Sequence, residues 1–113
     1  MELAELYKQI FSSCVKFAVF RKKNAEKDIR NILPELEEFS NVILQESVQG
    51  ITKSENQILQ LQLKGILQDT IQGLEQKDHV LLEDTLEYGW KPFLELFFEE
   101  DELIKLREET TNE

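Results

Sequence analysis

Residues 87–103 read EYGWKPFLELFFEEDEL: a glycine, a tryptophan, a proline and three phenylalanines, running into the four consecutive acids Glu99, Glu100, Asp101 and Glu102. The reading of this stretch decides the fold, because it either completes a helical core or begins a binding surface. Trp90, Phe93 and Phe97 are spaced by three and four, which places them on one face of a helix. With Leu82 and Leu86 before them they predict the buried stripe of a fourth helix, widened by Leu81 and Leu94. Leu96 and Phe98 then fall near the rim, since the apolar residues here cover more of the circumference than one stripe uses. Two readings fit this excess: a partner-facing surface, or a helix seated in a central groove that buries most of its girth. Pro92 cannot donate and its ring crowds the carbonyl of Tyr88, so Gly89 and Pro92 predict a bend. Helicity resumes through Leu103, Ile104 and Leu106, and residues 109–113 form a disordered tail.

Upstream, Asp78 is the expected cap of the fourth helix after a tight turn at Lys77. The third helix starts at the capping-box pair Thr52 and Glu55 and runs to about Gln76 on a stripe of Leu59, Leu63, Ile66, Leu67, Ile71 and Leu74. Gly65 and Gly73 each weaken it by roughly 1 kcal/mol relative to alanine, and either admit close helix contact or are simply tolerated. A second helix over residues 25–47 carries Ile29, Ile32, Leu36, Phe39 and Ile43 in constant phase through Pro34, which predicts a kink rather than a stop. The first helix begins at Leu3, carries Leu6, Tyr7, Ile10, Phe11, Cys14, Phe17 and Ala18 on its stripe, takes Arg21 to Lys23 into its last turn and breaks at Asn24. No segment alternates with period two. The expectation is therefore an all-α, antiparallel up-down four-helix bundle with kinks at Pro34 and Pro92, one domain over residues 1–108.

Thirteen basic residues stand against 23 acidic ones, a formal net charge of −10. Residues 51–113 hold fifteen of the acids and six of the bases, so the second half is the acidic half. Such a field opposes nucleic-acid phosphates and anionic lipid heads, and favours a basic partner or plain solubility. The one basic patch, Lys16, Arg21, Lys22, Lys23, Lys27 and Arg30, is interrupted by Glu26 and Asp28. Arg21, Lys22 and Lys23 suit the negative end of the first helix, or an acidic partner. Neither nucleic acid nor membrane is expected to bind. Cys14, the single cysteine, is read as a small buried hydrophobe, and a reducing, cytoplasmic setting follows from its having no disulfide partner. The opening MELAELYKQ carries no basic leader and no apolar run of spanning length.

Motifs for chemistry are sparse. His79, Glu83 and Glu87 form an i, i+4, i+8 column that formally suits a metal, but the column lies beside the Leu82 and Leu86 seam, and capping with surface ion pairing explains it without one. No glycine-rich phosphate loop and no serine, histidine and acid set is present, so no catalytic residue, metal or other cofactor is assigned. An enzyme or ligand-binding bundle would require an inter-helix pocket with a shifted carboxylate near His79 or Tyr88. The preferred expectation is a non-enzymatic adaptor, chaperone-like or regulatory protein that binds a protein partner or forms a homodimer. Leu96, Phe98, the acids Glu99, Glu100, Asp101 and Glu102, and Arg21, Lys22 and Lys23 are its candidate contacts. In size, acidity and helical plan the chain resembles the small bacterial helical proteins that include flagellar export chaperones and short regulatory bundles. No motif carries that likeness to individual residues; what it implies is binding of a client's helical segment, without catalysis.

Overall fold

The computed structural model describes residues 2–20, 25–46 and 48–111. Among them the chain is entirely helical. Helix α1 spans Leu3–Phe20, α2 Ala25–Glu46 and α3 Lys53–Gln76. Helix α4 is one continuous run in three parts: α-helical His79–Asp84, π-helical Thr85–Trp90 and α-helical Lys91–Glu95. Helix α5 spans Glu100–Thr111. The expected four-helix bundle is thus corrected to five helices, and the correction falls inside the stretch quoted first.

Two local features make the extra helix. The backbone amides of Leu96, Phe97 and Phe98 turn back to the carbonyls of Phe93, Leu94 and Glu95, three residues away, which tightens and ends α4. The amide of Glu99 then donates to Glu102 Oε1 at 3.0 Å, and the amide of Leu103 to the carbonyl of Glu99 at 3.0 Å, which starts α5. Glu100, Asp101 and Glu102 occupy its first turn, where negative charge meets the positive end of the helix dipole. The acidic run is in this way a helix start.

The bend expected at Gly89 and Pro92 takes the form of the π-helical turn. The amide of Lys91 donates to the carbonyl of Leu86, five residues back, so the wider winding is in place just before Pro92 removes a donor. In an α-helix an i, i+4 column drifts by roughly 40° per step, and the wider winding reduces that drift. Leu82, Leu86, Trp90 and Leu94 are accordingly all buried, 0 to 3 % exposed. Helix α2 continues through Pro34, which lies on an exposed position, as does Arg30, whose carbonyl receives no backbone donor from the proline.

Helix α4 occupies the middle, in contact with α1, α2 and α3, while α5 folds back along α1. Tyr7, Ile10, Ile29, Leu36, Leu63, Leu82, Trp90 and Leu94 form the fully buried centre. The stripe of α3 is rotated from the expected one. Ile71 is 53 % exposed and Thr70 is buried in its place, because Thr70 Oγ1 accepts the Trp90 indole N–H at 2.9 Å. A buried indole donor needs such a partner. Local signals held where they were self-contained. Thr52 and Glu55 make both bonds of the capping box, and Asp78 caps α4 by accepting from the amide of Leu81. Asn56 exchanges two bonds with the backbone of Val48 and so closes the α2–α3 connection.

Candidate functional site

The α3–α4 pair is closed at one end and open at the other. Near the turn, Gly73 lets the helices meet: a Cβ there would lie 2.6 Å from Cδ2 and 2.8 Å from Cγ of Leu82. Two turns earlier in α3, a Cβ on Gly65 would meet nothing within 4 Å. There the helices part around a groove of about 620 Å³, whose walls include Ile66, Phe93, Pro92 and Leu96, with Asp69 and Asp84 as its charged liners. Thr85, Tyr88 and Gly89 of the π-helical turn form part of the same lining. Departures of this kind from α-helical winding are frequent at functional sites.

The rim is apolar and in solvent. Leu96 is 63 % exposed, Tyr88 77 %, and Leu61, one turn before Gly65 on the same face of α3, 73 %. Ile58, three residues before Leu61, extends this exposed line. Sequence reasoning singled out Leu96 at this edge and named Gly65 as a place of close helix contact or simple tolerance, but passed over Leu61 and Ile58. The signal was present: Ile58, Leu61 and Gly65 share a face that lies off the buried stripe.

The other expected contact residues are distributed elsewhere. Phe98 is partly buried, its ring 5.7 Å from that of Tyr7. Glu99, Glu100, Asp101 and Glu102 are exposed around the start of α5. Arg21, Lys22 and Lys23 lie outside the described residues.

The flank of α4 toward α1 and α5 carries a polar cluster drawn from all three helices. Tyr7 donates to Glu95 Oε2 at 2.6 Å, and Arg107 donates to the Tyr7 hydroxyl at 3.1 Å and to the same carboxylate oxygen. Lys8 pairs with Glu109 at 2.6 Å beside it. Burial and the hydrogen bond to Glu95 push the Tyr7 hydroxyl up to about 12. Nearby, burial and a hydrogen bond to Glu87 push the Cys14 thiol up to about 12. At Glu87 burial pushes upward, but bonds from Cys14 and Lys91 outweigh it and hold the carboxyl below the usual range. That direction is opposite to the one a general acid needs at neutral pH. These groups tie helices together.

Among the described residues, no group of three or more histidine, cysteine, aspartate or glutamate side chains is placed to hold a metal ion, the His79, Glu83 and Glu87 column included. No helix among them is long and apolar enough to cross a membrane. Compared with protein-family models, curated proteins and solved structures, the chain matches none.

Proposed function

We propose that this is a non-enzymatic helical protein that acts in the cytoplasm by holding a protein partner in the α3–α4 groove, in an adaptor, export-chaperone-like or regulatory role. The observation that supports this reading is the coincidence of three features at one place: the π-helical turn, the groove, and the exposed Leu61, Tyr88 and Leu96 around it. Apolar side chains held in solvent beside a concave apolar wall have the composition of an interface core, which is costly to leave hydrated. Glycine at 65 leaves open space where a Cβ would stand, so that a partner's side chains can approach the backbone there. Leu96 is the contact carried forward from sequence, while Phe98 and the α5 acids contribute to internal packing and capping.

The test is a Leu61→Ser, Leu96→Ser double variant, whose exposed positions should leave the circular-dichroism spectrum and urea midpoint close to wild type. Proteins retained by the wild-type chain should be released by the variant. Hydrogen exchange at the amides of residues 65 and 89 should slow when a retained partner is added back. Equal retention by both chains, with no change in exchange at these amides, sinks the proposal.

A further inference from the structure

We infer that the occupant of the groove is a single amphipathic helix whose apolar stripe is flanked by lysine and arginine, an inference that rests on the groove reading above. A groove between two helices joined by a short turn offers a third helix a place along their shared direction, with interaxial distances of roughly 8–10 Å where small residues face the contact. Gly65 on α3 is such a small residue, with open space where its Cβ would stand. The line from the exposed Ile58 and Leu61 through the half-buried Gly65 to the exposed Asp69 spans twelve residues of α3, roughly 16 Å of helix. That length matches about three turns of a ligand helix, the reach of anchors at i, i+3, i+4 and i+7.

Charge selects among helices. Among the described residues, the charged side chains lining the groove are Asp69 and Asp84, both exposed, and no lysine or arginine lines it. In the acidic half of the chain two of the six bases are already paired, Lys91 with Glu87 and Arg107 with Glu95. Lys77 caps the end of α3, and Lys64 is exposed on α3 next to Gly65; neither lines the groove. An acidic helix would therefore meet like charge on approach and in place. A second copy of this chain is disfavoured for the same reason, since a two-fold contact sets Asp69 and Asp84 of each copy against the acidic face of the other.

Three synthetic 18-residue helical peptides test this, sharing one leucine stripe and flanked by lysine and arginine, by glutamine, or by glutamate. Binding to the purified chain is read by fluorescence anisotropy. The cationic peptide is expected to bind at least about tenfold tighter than the glutamate peptide, with the advantage shrinking as salt rises. Asp69→Asn with Asp84→Asn should weaken the cationic peptide roughly three- to tenfold. Gly65→Leu, which fills the groove from a position with open space around it, should abolish binding while circular dichroism stays unchanged. Equal binding of all three peptides, still abolished by Gly65→Leu, overturns the charge inference and leaves the groove reading intact. Binding that ignores Gly65→Leu, or no binding at all, overturns both. A concentration-dependent dimer of the chain alone, seen by sedimentation and lost in Leu96→Ser, replaces the basic helix with a second copy and overturns the inference.

Discussion

Toward α1 and α5, helix α4 presents Glu95 to both Tyr7 and Arg107, while toward α3 it leaves Tyr88 and Leu96 in solvent. The two tyrosines mark the contrast. Tyr7 has no exposed surface and its hydroxyl is bonded twice, whereas Tyr88 is 77 % exposed. On the first flank polar groups from three helices are paired and half-sheltered, so moving any one of them disturbs the others. On the second flank the α3–α4 seam opens at Gly65, and the exposed side chains there can change without disturbing the core. The difference separates what holds the fold from what is free to bind.

The largest expected effect falls on the residue between the two flanks. Trp90 is fully buried and its indole reaches Thr70 on α3, so Trp90→Ala removes both the packing and the bond that sets the rotation of α3. A loss of about 3–5 kcal/mol is expected in urea unfolding, enough to threaten folding of a chain this size. A loss below about 1 kcal/mol would mean that α3 and α4 are not joined through this contact.

How far these features could be read from sequence depends on how local their causes are. Thr52, Glu55 and Asp78 announced helix starts because each cap is made within three residues. The fifth helix escaped because apolar residues continue in near-helical spacing from Phe93 to Phe98, and a tight turn leaves no mark on that pattern. The acids at positions 99–102 were the available sign, since a first turn favours them, yet they read equally as a solvated end. Gly89 and Pro92 announced an irregularity without specifying its winding. Thr70 replaced Ile71 in the core through a bond to a residue 20 positions away. The Tyr7 cluster joins residues separated by 88 and 100 positions, beyond the reach of any periodicity.

Of intermediate size is the contrast between the tyrosines themselves. Tyr7→Phe strips the shared hydrogen from Glu95 and the acceptor from Arg107, and about 1–2 kcal/mol should be lost, toward the low end for charged partners because both are part-exposed. Tyr88→Phe should stay within about 0.5 kcal/mol of wild type. Alkaline titration sharpens the point. The Tyr7 hydroxyl ionises near 10 when unfolded and near 12 when folded, so its stabilising contribution is full below pH 10 and is lost as pH rises toward 12. Unfolding free energies measured from pH 9 to 12 should fall less steeply in Tyr7→Phe. Cys14, likewise raised, leaves a remaining alkaline slope in that variant. Parallel pH profiles for the two chains would show that the Tyr7 hydroxyl does not carry this flank.

The smallest effect has the most telling sign. Gly65→Ala adds a methyl that meets nothing within 4 Å and removes a weak helix former, so stability should rise, by up to about 1 kcal/mol. The same substitution at Gly73, eight residues along the same helix, drives a methyl into the fully buried Leu82 and should lower stability despite the identical gain in helix propensity. Paired urea curves decide it. Opposite signs place the open and closed ends of the α3–α4 seam where the structure has them, and two gains would mean that Leu82 yields and the seam is loose throughout. Two losses would mean that the groove closes around residue 65 in solution, which removes the room a partner helix needs.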